Sequence, residues 1–188
     1  MHNQPFIDGL HSRTSCAQLE HPAPTEAQLD TLFKAAFRAA DHRQLKPWRF
    51  VIIRDAGLEA LGELFLAAKL LENPALTEEE RIRTLSLPKR APMVIVAIAS
   101  IQEDAKVPPT EQLLATGAAV QNMLNAAFAM ELGAIWRTGD LASNAHVAAG
   151  LGLTDHEKIV SFLYIGTPKI PFRLPPLPNI KKHVSQWP

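Results

Sequence analysis

The chain reads as one mixed α/β domain: a central sheet, helices on both faces, and more helix than strand. Three stretches predict this. Met93–Ala99 (MVIVAIA) and Ile159–Ile165 (IVSFLYI) are apolar runs without polar alternation, the pattern of strands covered on both faces. Between them, Thr110–Leu132 has no charged residue from Gln112 to Met130 and no internal proline. It predicts a long helix surrounded by protein on most sides. Its Thr, Gln, Asn and Gly content is too high for a membrane span.

The remaining elements follow in chain order. Phe6–Arg13 predicts a short helix with Phe6, Ile7 and Leu10 on one face, leading into the polar Ser12-Arg13-Thr14-Ser15. After the loop His21–Pro24, Thr25 caps a helix running to about Ala40, and Gln28 stands where a capping box needs it. Leu29, Leu32, Phe33, Ala36 and Phe37 form its apolar stripe. A polar loop, Asp41–Pro47, precedes a strand at Trp48–Arg54. Leu58–Leu71 predicts a helix with Leu61, Leu64, Phe65 and Ala68 inward. Thr77 to about Leu87 predicts a second, opened by three glutamates that suit a positive helix start. In the long helix, Leu113, Leu114, Gly117, Val120, Gln121, Leu124 and Phe128 recur at three- and four-residue steps, and Gly133 follows as a C-terminal cap would. Its many small residues suit close approach by another helix. Ala134–Thr138 predicts a short buried strand ending at Arg137, and Ser143–Ala149 a short helix. The proline-rich tail, 168–188, predicts an extended arm on a single domain spanning 1–188.

Charge is balanced at 19 basic and 19 acidic residues, which argues against nucleic-acid binding through a basic face. The single cysteine, Cys16, excludes an internal disulfide framework and fits a reducing compartment. With no signal-peptide pattern and no apolar run of roughly 18 residues, the expectation is a cytoplasmic protein without a membrane partner. Neither common nucleotide loop is present, HExxH and GxSxG are absent, and the seven histidines lack metal spacing. No metal is expected.

Three polar clusters remain, each at the end of an apolar element. Arg13-Thr14-Ser15 joins a planar donor fork to two short hydroxyls, a set suited to phosphate, and also reads as an ordinary polar loop. Arg38 and His42 lie four apart, followed by Lys46-Pro47-Trp48; they either share a helical face toward one ligand or complement a helix C-terminus. Trp136-Arg137-Thr138-Gly139 puts an arginine at a strand end, the usual place for ligand contact in an α/β sheet, or for a surface salt bridge. Together the clusters favour an anionic ligand.

The ordered set of Arg13-Thr14-Ser15, Arg38-Ala39-Ala40-Asp41-His42, Pro47-Trp48, Lys106-Val107-Pro108, Ile135-Trp136-Arg137 and Lys158–Pro168 resembles the nitroreductase family of FMN enzymes, in its short, minimal subgroup. The resemblance implies an α+β fold with a central mixed or antiparallel sheet flanked by helices. It implies an intertwined homodimer with two flavins at the interface. FMN contacts are implied for Arg13, Thr14, Ser15, Trp136, Arg137 and Thr138, and for Arg38 and His42 from the partner chain. The chemistry implied is reduction of FMN by NAD(P)H and ping-pong transfer to an electron-poor small molecule, a nitroaromatic or quinone, with no catalytic side chain. The pattern departs in three places: Thr14 replaces a second arginine, Ala40 a proline, and Lys46 an uncharged residue. The rival readings are a non-catalytic flavin-binding protein, for storage or sensing, and a helical dimer that scaffolds partners.

Overall fold

The structure is a computed structural model and describes residues 3–103 and 106–187. Pro188, the last residue of the expected arm, lies outside the described residues, as do Met1, His2, Asp104 and Ala105. Five strands form the sheet: β1 (Leu19–Glu20), β2 (Trp48–Arg54), β3 (Met93–Ser100), β4 (Gly133–Arg137) and β5 (Glu157–Pro168). Every pairing is antiparallel, and β5 is the hub, pairing with β3, β4 and β1, while β2 pairs with β3. The sheet is therefore antiparallel and flanked by helices, an α+β arrangement.

The unbroken apolar run of β3 is explained by what lies on each side of it. Val94, Val96 and Ile98 face one core with Leu58, Leu61 and Phe65 of α3 (Ala56–Glu72). Met93 and Ile95 face a second core with Leu29 and Leu32 of α2 (Glu26–Ala36) and Ala115, Ala119 and Met123 of α5 (Pro109–Ala129). The predicted capping box of α2 is formed: Gln28 N donates to Thr25 Oγ1 at 3.3 Å, and Thr25 N donates to Gln28 Oε1 at 2.9 Å. Thr77 and Glu80 repeat the device on α4 (Glu78–Ser86).

Five expectations are corrected. Helix α2 ends at Ala36, not near Ala40, because Arg38 N and Ala39 N turn back to the carbonyls of Ala35 and Ala36 in a tight, 3₁₀-like turn. Phe37 is consequently a half-exposed cap residue and not part of the inward stripe. Gly133 is not a helix cap; the turn after α5 uses Glu131 at φ 58°, and Gly133 lies in β4 with Cys16 Cβ 3.3 Å from where its own Cβ would be. The expected helix at 143–149 is two, α6 (Asp140–Ser143) and α7 (Ala145–Gly150), divided at Asn144, whose side chain caps α7 by accepting from Val147 N at 3.1 Å.

The fifth concerns which side of α5 is inward. Gln112, Ala115, Thr116, Ala119, Val120, Met123, Leu124 and Ala127 are buried, whereas Leu114 is 68% exposed and Gln121 is exposed. Small residues bring the helix close to the sheet, and the larger Leu114 is left outside. Helix α1 (Gln4–Ser12) likewise leaves its apolar face open: Phe6, Ile7 and Leu10 are all exposed. Past β5 the described residues form no regular element apart from one 3₁₀ turn at Ile180–Lys182.

Candidate functional site

The first cluster sits where α1 ends. Arg13 N closes the helix on Gly9 O at 2.9 Å, and three residues on Cys16 N donates to Ala134 O at 2.9 Å, fastening the segment to β4. Arg13 and Thr14 are half-buried and Ser15 is exposed. Thr14 and Ser15 line a cleft of about 280 Å³, whose far wall is Phe172 and Arg173 from the C-terminal arm. The arm is anchored there by Lys169 N donating to Gln18 O at 3.0 Å and by Phe172 packing on Phe128, centroids 4.9 Å apart. Neither Arg13 nor Arg173 has an ion-pair partner among the described residues. The Arg173 guanidinium and the hydroxyls of Thr14 and Ser15, with Arg13 the next residue in the chain, are a donor set suited to a phosphate monoester.

The third cluster closes the other end of β4. Trp136 Nε1 donates to Val160 O at 3.1 Å, which locks the strand end. Arg137 Nε is buried and has no hydrogen-bond partner, an unusual state for so strong a donor. Its Cζ stands 5.7 Å from the ring centroid of Tyr164. Together with Thr138, Gly139 and Arg90 they line a cleft of about 440 Å³ floored by Phe65, Phe162 and Tyr164. Burial pushes the Tyr164 hydroxyl above its ordinary pKa, while the positive charges of Arg137 and Arg90 pull against that. Asp140 is the acidic residue on this wall; its carboxyl is held below its usual range by Lys69, with which it forms an ion pair.

The second cluster lies apart, on the face carrying α2 and α5. Because α2 stops early, Arg38 and His42 do not share a helical face. Arg38 lines an apolar cleft of about 490 Å³ with Phe6, Leu10, Asn122 and Phe128. His42 Nδ1 is 2.7 Å from Glu111 Oε2 at the start of α5. The loop between is tightly held. Arg43, Gln44 and Lys46 all have positive φ (62°, 55° and 49°), a region costly for side-chain-bearing residues. Asp41 Oδ2 accepts from Lys46 N at 2.6 Å, Gln102 Nε2 donates to Leu45 O at 3.0 Å, and Thr116 Oγ1 donates to Pro47 O at 2.9 Å. These bonds fix the backbone that carries His42 and Lys46.

Within one chain, then, the clusters line three clefts. The first and third sit at the two ends of β4; the second backs onto the first across the Phe128–Phe172 contact. Sequence reasoning missed Arg90, Arg173 and Tyr164. Arg90 had a signal, a cation just before the strongest strand. Arg173, inside a patternless tail, had none. Among the described residues, no group of three or more His, Cys, Asp or Glu is placed to hold a metal ion, and no helix is long and apolar enough to cross a membrane.

Comparison with known proteins gives a consistent result. The nitroreductase family model matches residues 10–167. YdjA of Escherichia coli (strain K12), whose name assigns it provisionally as an NAD(P)H nitroreductase, is 37% identical over 165 residues, which cover 87% of this chain and 88% of YdjA. Among solved structures, a nitroreductase-like family protein from Bacillus cereus is similar with a TM-score of 0.79 at 25% identity, covering 96% of this chain and 95% of that one. A nitroreductase-type protein from Desulfovibrio desulfuricans, solved in complex with FMN, has a TM-score of 0.75 at 21% identity over 100% of both chains; at that identity the likeness concerns the fold.

Proposed function

The chain belongs to the nitroreductase family, and we propose that it is an FMN-dependent oxidoreductase. It takes electrons from NAD(P)H and passes them to electron-poor small molecules such as nitroaromatics or quinones. The observation that carries this reading is the pair of clefts at the ends of β4, each lined by a guanidinium without an anionic partner among the described residues. The residues present fit the cofactor. The Thr14–Ser15–Arg173 cleft, with Arg13 beside it, has the donors for the FMN phosphate. The strand end Trp136–Thr138, with its orphaned Arg137 Nε, has the donors for the flavin ring.

Bound FMN supplies the hydride acceptor and donor that no side chain here provides. The chain's own contribution is position and charge. Arg13 and Arg173 offset the phosphate charge, and Thr14 and Ser15 orient it. The Trp136–Val160 hydrogen bond keeps the strand end rigid. Asp140, the carboxylate lining the Arg137 cleft among the described residues, is paired with Lys69, and on this reading protons come from solvent.

The active form on this reading is a homodimer. Leu114 on α5, Phe6 and Leu10 on α1 and six large apolar side chains of the arm are all exposed in one chain, and on this reading a second copy covers them. Arg38 and His42, which line neither β4 cleft in their own chain, then serve the partner's flavin.

NAD(P)H and the acceptor use one open face in turn, so initial-rate plots should be parallel; intersecting lines count against the scheme. The purified protein should be yellow, and anaerobic NADH should bleach it within seconds. A yellow protein that NADH leaves unbleached supports storage or sensing instead, and a colourless one that takes up no added FMN supports a scaffold. Arg173→Ala should weaken FMN binding about tenfold or more through loss of charge-assisted hydrogen bonds, with riboflavin binding unchanged.

A further inference from the structure

We propose that Lys69 is a positioning residue for the site: it straps the segment after β4 to α3 and so fixes where Arg137, Thr138 and Gly139 stand. The inference rests on the flavin reading above and deepens it, because those residues belong to the strand end which that reading gives to the flavin ring.

The segment needs a strap. β4 ends at Arg137 and α6 begins at Asp140, so only Thr138 and Gly139 join them, and both are exposed. Gly139 takes φ 70° and ψ −170°, a region that favours glycine, and a Cβ built there would meet nothing within 4 Å. Packing therefore does not hold this corner, and its backbone is of the freest kind. On the strand side, the bond from Trp136 Nε1 to Val160 O is a fixed point. On the other side, α6 has four residues, too few to be rigid by itself.

A polar chain supplies the second fixed point. Lys69 Nζ, in the last turn of α3, donates to Asp140 Oδ2 and, at 3.3 Å, to Glu72 Oε2. Glu72 Oε1 accepts from Asn144 Nδ2 at 2.7 Å, and Asn144 is the residue that divides α6 from α7. Asp140 Oδ1 also accepts from Leu141 N at 3.1 Å. Both ends of α6 are thus tied to one turn of α3. That turn is a firm base, since Phe65 and Ala68 beside it are buried in the core under β3. Lys69 is the shared member and the least hydrated: its side chain is 27% exposed, against 64% for Asp140 and 50% for Glu72. Removing it breaks both ion pairs at once. Asp140 lines the Arg137 cleft and Lys69 does not, so Lys69 acts through Asp140 and not by touching what the cleft holds. Pairs this hydrated add little to global stability. Their effect is local, on the corner that nothing else holds.

The test uses the full chain as purified. Hydrogen exchange of the amides from Thr138 to Leu141 is followed in wild type, Lys69→Met, Lys69→Arg and Asp140→Asn. In K69M these amides should exchange about two- to fivefold faster, the scale of a partly hydrated ion pair, while those of β3 keep their rates. D140N cuts the same strap from its other end and should do the same; K69R should restore most of the protection. After the bound flavin is dialysed out, K69M should bind FMN and riboflavin more weakly by one common factor, again about two- to fivefold. The factor is common because the loosened corner serves the ring and not the phosphate. Wild-type exchange rates in both K69M and D140N overturn the strap, and so does faster exchange spread evenly over β3. Faster local exchange with unchanged affinity for both flavins overturns its role at the site. Loss of FMN with normal riboflavin binding overturns it too, since Lys69 would then act at the phosphate. A wild-type protein that takes up neither flavin sinks the flavin reading itself, and the exchange rates still decide whether Lys69 holds the corner.

Discussion

Strand β3 and the C-terminal arm draw on similar apolar residues and meet opposite fates. Every residue from Met93 to Ala99 is buried, packed between α3 on one side and α2 with α5 on the other. In the arm, Leu174, Leu177, Ile180, Val184 and Trp187 all face outward, with Leu177 98% and Trp187 95% exposed. Burying a side chain of that size is worth about 1.5–3 kcal/mol. These five, with Ile170 also exposed, are apolar surface that the single chain leaves open, as are the faces of α1 and α5. The difference separates two problems. The sheet is a fold completed within one chain; on the dimer reading proposed above, the arm is completed by another.

The sharpest way to break that division is to injure the sheet. Leu163 is fully buried in β5, opposite Ile95 of β3 and Trp136 of β4. Leu163→Ala should cost about 3–4 kcal/mol, seen as a lower urea midpoint with unchanged slope. A loss below about 1 kcal/mol would mean that the sheet is not the tightly packed centre described here. The matching injury to the arm should behave differently. Trp187→Ala should leave the circular dichroism spectrum intact and weaken dimerisation by roughly thirtyfold, about 2 kcal/mol, as for an aromatic interface anchor. Sedimentation equilibrium reads it directly. An unchanged dimer constant would remove the arm from the interface.

What the sequence disclosed follows the same line. β2 spans the predicted Trp48–Arg54 around its apolar run Phe50–Ile53, and the Thr25–Gln28 box forms as its spacing requires. Signals local to one element survive folding. The buried side of α5 was less legible: its uncharged stretch marks two contact surfaces, one for the sheet and one left open at Leu114, and periodicity alone does not say which is which. The early end of α2 was hidden because nothing from Phe37 to Ala40 breaks a helix; the turn is set by tertiary contacts, including Asn122 Nδ2 donating to Ala35 O at 3.1 Å. Among the candidate site residues, Arg13 and Arg137 stood out as cations at element ends, Arg13 with the hydroxyls of Thr14 and Ser15 beside it. Arg173 did not, because its place in the cleft depends on where the arm returns to the segment Thr14–Gln18, a long-range property with no local period.

The sheet also has a polar staple, and acid should open it where the arm is indifferent. Glu157 accepts from Arg49 Nε at 2.6 Å, Ser100 Oγ at 2.8 Å and Thr154 N at 3.1 Å, tying β2, β3 and β5 together at one end. The Arg49 hydrogen bond, chiefly, lowers its carboxyl from an ordinary 4.5 to about 2. A carboxyl whose folded pKa is depressed contributes stability that is complete above its unfolded value and fades as the pH falls toward its folded one. Between about pH 4.5 and 2, therefore, this contribution should be lost. Because the Arg49 side chain is 37% exposed, solvent screening reduces it, to about 1–2 kcal/mol. Glu157→Gln should remove that much at neutral pH and flatten the acid limb of the stability curve in this window. If the variant's acid limb matches that of wild type, the acid sensitivity resides elsewhere. The dimer constant, governed on this account by apolar surface in the arm, should be the same for Glu157→Gln and wild type at pH 7; a parallel weakening would show that the two regions are not independent after all.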